Sequence, residues 1–140
     1  MKAYLAIVSH PDNRNRQMID QISQVLIACG FEPICIRRDV EQWGKITPPP
    51  RSLLTTTLDA IRSSQLVVID ATEADTRIGI EVGYAYAHSV PVFTIAREGT
   101  ALPLTLYGLS SGVAFYRDSQ QLNECFVQLG LLNEENKSSR

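Results

Sequence analysis

Four carboxylates crowd one short stretch of this chain, VVIDATEADTRIGIEVGYAYA, from Val67 to Ala87. An apolar run ends in Asp70, a polar loop carries Glu73 and Asp75, and Glu81 stands between Gly79 and Gly83. Acids at the end of a buried strand and near the start of a helix have two uses. They are solvated caps that offset backbone dipoles, or they are working acids that touch a substrate.

Other chemistries lack their residues. No G-x-G-x-x-G follows the first apolar run, and no G-x-x-x-x-G-K-[ST] occurs, so the dinucleotide fingerprint and the P-loop are absent from the sequence. A phospho-acceptor receiver could use Asp70, but the acidic pair after the first strand and the lysine after the fifth are missing. There is no G-x-S-x-G elbow, and neither His10 nor His88 lies in a metal motif. Cys29, Cys35 and Cys125 are odd in number, lack ligand spacing and sit among apolar residues, which reads as reduced core thiols of a cytoplasmic protein.

The elements that would position the acids follow from hydrophobic periodicity. Strands are expected at Ala3–Val8, Pro33–Arg37, Leu66–Asp70, Val90–Ile95 and Val113–Tyr116. Helices are expected from Arg14 to the stop at Gly30, then at Leu53–Ile61, Ile78–His88 and Ser119–Leu129. Between Arg38 and Pro50 the chain reads as an irregular loop ending in three prolines, and the Gly99–Pro103 region as another.

Alternating strands and helices, with nearly unbroken apolar runs in strands three and four, imply a parallel sheet covered on both faces. The expected fold is therefore α/β: a single doubly wound, five-stranded parallel sheet, flavodoxin-like or Rossmann-like. One such domain fills residues 1–132, and 133–140 read as a polar tail. Ligands of these sheets bind outside the carboxyl ends of the strands. That edge gathers Ser9 and His10, the 38–50 loop, Asp70 to Glu81, and the loop from Arg97 to Thr105.

With 20% charged residues, net charge -2 and no basic block, the chain offers little for nucleic-acid backbones. No apolar run approaches membrane-spanning length, and MKAYLAIVSHPD is broken too early for a signal peptide.

From Thr57 to Ile95 the chain resembles the nucleoside 2-deoxyribosyltransferase-like superfamily, which includes deoxynucleoside monophosphate N-hydrolases. The resemblance is carried by LDAIRSSQLVVIDAT, then ADTRIGIEVGYAYA with its E-V-G-Y-A core, then VPVFTI. It implies cleavage or transfer at the N-glycosidic bond of a nucleoside or nucleoside 5′-monophosphate, with a carboxylate as nucleophile at the anomeric carbon. Glu81 matches that nucleophile, and a helix N-terminus would favour its ionised form; the bland alternative is a first-turn charge. Asp75 matches a substrate-touching position or is only an N-cap. Asp70 would bond sugar hydroxyls or hold its loop. Gly79 and Gly83 would leave room for a sugar ring or for close helix–sheet packing. Tyr84 and Tyr86 read as packing.

This chain departs from the family pattern at two places. Thr57 occupies the position of a helical Asp, and Asp59 lies about 200° away around the helix, unable to replace it. Ser9-His10-Pro11 stands where a small Ala-Gly-Pro-like turn is expected. His10 would serve as an acid for the leaving base, bind a phosphate, block the pocket, or do none of these. Arg37, Arg38 and Arg97 are phosphate partners or surface arginines, and Trp43 stacks on a base or anchors its loop. Thr105 stands near the family residue that reaches a neighbouring subunit's site, implying a homodimer or larger assembly. No metal or organic cofactor is implied. The rival expectation is a nucleotide-binding module of the same fold without turnover.

Overall fold

The structure, a computed structural model, describes residues 1–134; positions 135–140 of the expected polar tail lie outside the described residues. Its elements are β1 (Lys2–Ala6), α1 (Arg16–Ala28), β2 (Glu32–Ile34), α2 (Ile36–Asp39), α3 (Pro50–Arg62), β3 (Leu66–Asp70), α4 (Thr76–Ala87), β4 (Val92–Arg97), α5 (Leu104–Leu109), β5 (Gly112–Tyr116) and α6 (Leu122–Gln128). All strand pairs are parallel, in the order β2-β1-β3-β4-β5. The central strand β3, LVVID, is buried at every residue, because helices cover both faces.

Alternation along the strands sorts the core into two layers. Leu5, Val68, Ile95 and Ala114 pack against Ile19, Ile22 and Leu26 of α1 and Phe126 of α6. Tyr4, Ala6, Val67, Ile69 and Val92 face the other way, onto Ile61 of α3 and Ile78, Val82 and Ala85 of α4. Cys35 and Cys125 are buried and Cys29 is half-buried; burial pushes the Cys125 thiol up to about 12, so it stays protonated.

Most element ends move by one to three residues from the periodicity reading, and four of the differences have a clear local cause. The second strand stops at Ile34, because the Asp39 carboxylate accepts the Cys35 N–H at 2.9 Å and bends the chain into the short helix α2. The third consecutive proline, Pro50, does not precede α3 but opens it, at the first helical position where no N–H is needed. α4 begins two residues before the expected start, at Thr76, behind the Asp75 cap. The expected loop after Pro103 contains α5, a short helix whose Thr, Tyr and Gly residues mask its periodicity.

The loop after α2 is the most strained part of the backbone. Gln42, Trp43 and Gly44 all have positive φ (48°, 61° and 95°). At Gly44 a Cβ would also lie 2.8 Å from Nη2 of Arg37. Gly44→Ala should therefore cost about 2 kcal/mol, read as a lower urea midpoint at unchanged m-value.

Candidate active site

Glu81 lies on the sixth residue of α4, beyond the first turn, so the helix N-terminus does not hold its charge. The ionised form is supported instead by Arg77, one turn earlier on the same face. Arg77 Nη1 donates to Glu81 Oε2 at 3.0 Å, and its Nη2 donates to the carbonyl of Ile7 at 2.6 Å. Arg77 is about one-third exposed, whereas Glu81 is 1% exposed.

The other carboxylate oxygen, Oε1, is buried and meets no full hydrogen-bond geometry among the described residues, and the same holds for the hydroxyl of Tyr4. Tyr4 projects from β1 into the same layer, close enough that its hydroxyl lowers the Glu81 pKa and the Glu81 carboxylate raises that of Tyr4. Burial pushes the Glu81 carboxyl above the ordinary glutamate value; Arg77 opposes that shift, and the nearby Asp75 charge adds to it. Burial and the Glu81 carboxylate raise the Tyr4 hydroxyl well above its usual range, so Tyr4 is a neutral donor.

Glu81 and Arg77 line a cleft of about 380 Å3 between the N-terminal halves of α3 and α4. Thr57, buried on α3, lines the same cleft, and Pro50, Leu53, Leu54 and Ile80 give it apolar walls. An apolar hollow with a few convergent polar groups is the usual form of a small-molecule site. Thr57 and Glu81 are thus brought together, while Asp59 faces solvent beside Arg62 at 3.9 Å.

The remaining candidates stand elsewhere along the same edge. Asp75 caps α4: its Oδ1 accepts the Ile78 N–H at 3.0 Å, as its N-cap reading requires. With Gly79 and Thr105 it lines a second apolar cleft, on the far side of α4. A Cβ added at Gly79 or Gly83 meets no atom within 4 Å, so close helix–sheet packing is not what these glycines serve.

Ser9 and His10 line a third hollow with Trp43 and Thr47. His10 Nε2 meets Glu73 Oε2 at 2.8 Å, and its Nδ1 accepts from Arg14 at 3.1 Å, a pairing that fits the neutral, Nε2-protonated ring. The imidazole therefore does not cover Glu81. Arg37 ties the first loop to the second, through Asn13 Oδ1 at 2.9 Å and Glu41 at 3.8 Å. Arg38 is held by Asp39 and Ser23. Trp43 packs on the core beneath Arg16, whose guanidinium sits 4.4 Å from the ring. Tyr84 stacks on His88 and Tyr86 is exposed.

Asp70 falls on the opposite layer from Glu81, by the alternation of β3. Its Oδ1 accepts from Thr72 N and Oγ1 at 3.0 and 2.7 Å, and its Oδ2 from Tyr116 Oη at 2.8 Å. Arg97 lines the hollow around it. Among the described residues no helix is long and apolar enough to cross a membrane.

Sequence reasoning missed Tyr4 and Arg77. A tyrosine inside a continuous apolar strand needs a partner for its hydroxyl, and that was a usable signal. Arg77 stands four residues before Glu81, and that spacing alone puts both side chains on one helix face.

No family model and no curated protein matches the chain. Solved structures do. A 2-deoxyribosyltransferase from the psychrotolerant bacterium Bacillus psychrosaccharolyticus superposes with TM-score 0.68 at 16% identity, over 92% of this chain and 96% of that one. A CMP N-glycosidase from Clostridium botulinum gives 0.63 at 16% identity, over 89% and 96%. A conserved protein from Enterococcus faecalis gives 0.66 at 14% identity, over 91% and 98%. The resemblance read from Thr57 to Ile95 thus extends, in fold, across nearly the whole chain: this is the parallel 2-1-3-4-5 sheet of the flavodoxin-like class, built as in a deoxyribosyltransferase and an N-glycosidase.

Proposed function

We propose that this protein cleaves or transfers at the N-glycosidic bond of a nucleoside or nucleoside 5′-monophosphate, with Glu81 as nucleophile. The observation that carries this reading is Glu81 Oε1, a carboxylate oxygen buried beside a cleft in no full hydrogen-bond geometry among the described residues. A buried charge with an idle lone pair is costly to fold around, and such groups concentrate where a ligand completes them. Arg77 holds Oε2, which leaves Oε1 for the anomeric carbon.

Attack by Oε1 forms a glycosyl ester while the C–N bond breaks and its electron pair departs on the base, which takes up a proton. Water or a second base then attacks the same carbon and frees Glu81. The apolar walls suit a planar base, and Thr57 supplies a hydroxyl where a carboxylate is expected from the resemblance. Asp75 acts as a positioning residue through its cap on α4. Ser9 and His10 line a hollow of their own on the loop whose Ile7 carbonyl Arg77 touches, and are assigned to the part of the substrate that reaches beyond Arg77. The reaction requires no metal or organic cofactor.

The test is base release from a panel of nucleosides and 5′-monophosphates by the pure chain, followed by chromatography. A second reading, nucleotide binding without turnover, is favoured by the Arg77 ion pair on the carboxylate and by Thr57. It predicts ligand-induced thermal stabilisation with no free base from any substrate.

The homodimer belongs to the same proposal. Two apolar clefts flank α4, its glycines face open space, and Leu54, Ile80, Leu104 and Tyr107 are 50, 54, 86 and 49% exposed. So much exposed apolar surface on neighbouring helices is the mark of a covered face. Leu104→Glu should convert a dimer to a monomer in light scattering while leaving the melting temperature of the monomer unit nearly unchanged; a natural chain that is monomeric at high concentration sinks the idea.

A further inference from the structure

We propose that Arg77 makes the Glu81 cleft selective for a phosphorylated substrate, a nucleoside monophosphate rather than the nucleoside. The inference rests on the N-glycosidic reading and concerns its substrate class.

Before reaction, Arg77 and Glu81 form a neutral pair. Ester formation at Oε1 changes this balance. The carboxylate gives an electron pair to the anomeric carbon and loses its charge, the C–N bond breaks, and the leaving base carries away the electron pair and takes a proton from solvent water, which leaves as hydroxide. The guanidinium then stands beside a neutral ester, with Pro50, Leu53, Leu54 and Ile80 around it. With a substrate seated in the cleft the guanidinium loses the water that reaches it in the empty cleft, and an uncompensated charge in such surroundings is disfavoured, so a neutral nucleoside meets a higher barrier.

A substrate phosphate supplies the missing anion. Among the described residues that line the cleft, Arg77 is the one cation, and a third of its side chain remains accessible. Its Nη1 and Nη2 each spend one N–H on Glu81 Oε2 and the Ile7 carbonyl, and the remaining N–H groups of its five-donor fork match phosphate oxygens. The same guanidinium screens the incoming phosphate from the Glu81 charge. Arg37 and Arg38 do not line this cleft, and all three guanidinium nitrogens of each are engaged, whereas among the described residues Arg77 bonds through Nη1 and Nη2 alone.

The experiment compares ligand-induced thermal shifts, read as apparent Kd, for matched nucleosides, their 5′-monophosphates and inorganic phosphate. It uses the full chain, Arg77→Lys, and the charge-free Arg77→Gln and Arg77→Met, so that at least one folded variant without the charge is in hand. Monophosphates should bind about tenfold or more tightly than nucleosides, either charge-free variant should erase that difference, and Arg77→Lys should keep part of it. A preference that survives loss of the charge overturns the proposal. So does a natural chain that does not discriminate, or one that binds inorganic phosphate as tightly as the monophosphate. Base release is scored separately: its absence from every substrate ends the N-glycosidic reading, whereas a natural chain that releases base without preferring monophosphates ends only the role of Arg77.

Discussion

Glu81→Gln should lose base release by on the order of 10^4-fold or more, and should melt at a higher temperature than the natural chain. The first effect follows from replacing the attacking oxygen by an amide. The second follows from burial. The folded state raises the Glu81 pKa above its unfolded value, with desolvation as the largest cause. A carboxyl so shifted adds stability below its unfolded pKa, and that contribution is lost as pH rises through the folded pKa. Above its folded pKa the natural chain thus holds a disfavoured charge, and a neutral amide of the same shape removes it. Arg77, a third exposed, can be solvated in the variant. A melting temperature higher by a few degrees at pH 7, with the difference vanishing in acid, is the expected result. A variant that is less stable at neutral pH and equally active would show that Glu81 is an ordinary structural partner of Arg77.

How much of this was legible beforehand depended on whether the signal was local. The run Leu66–Asp70 could be read as a buried central strand because five apolar-to-acidic residues between turn signals leave few alternatives, and the structure has it at those residues. Asp75 was readable as a cap, since its partner lies three residues on. Asp70 was not, because the hydroxyl that claims its second oxygen comes from Tyr116, 46 residues away on β5. The layers explain a second failure. Ser9, His10, Asp70 and Glu81 all fall at the carboxyl edge of the sheet, and topology alone joins them in one site. Side-chain parity then divides them among separate hollows. Arg77 was local, one helical turn before Glu81, but an arginine there reads equally well as an exposed surface charge, and only its bond to the Ile7 carbonyl, 70 residues away in sequence, fixes it over the carboxylate. α5 carries too few residues to establish a period.

Asp70→Ala should destabilise the fold by about 3 kcal/mol without touching the chemistry. The carboxylate is 4% exposed and ties three strand ends together. It accepts from Thr72 after β3 and from Tyr116 at the end of β5, and Thr72 Oγ1 in turn accepts the N–H of Arg97 at the end of β4, at 2.9 Å. Burial and the Asp70 charge raise the Tyr116 hydroxyl, so it remains a donor throughout the working pH range. Alanine removes the acceptor shared by three donors; the Thr72 and Tyr116 hydroxyls, 3.2 Å apart, can still pair with each other, but the Thr72 N–H and one hydroxyl hydrogen lose their acceptor, which costs more than one ordinary hydrogen bond. Asparagine keeps one carbonyl oxygen and should lose roughly half as much. Because β3 turns Asp70 toward α1 and Glu81 lies under the opposite layer, folded Asp70→Asn should retain base release within about threefold of the natural chain. A folded Asp70→Asn with activity down about a hundredfold would instead put this carboxylate in contact with substrate, and the face assigned to the reaction would have to change.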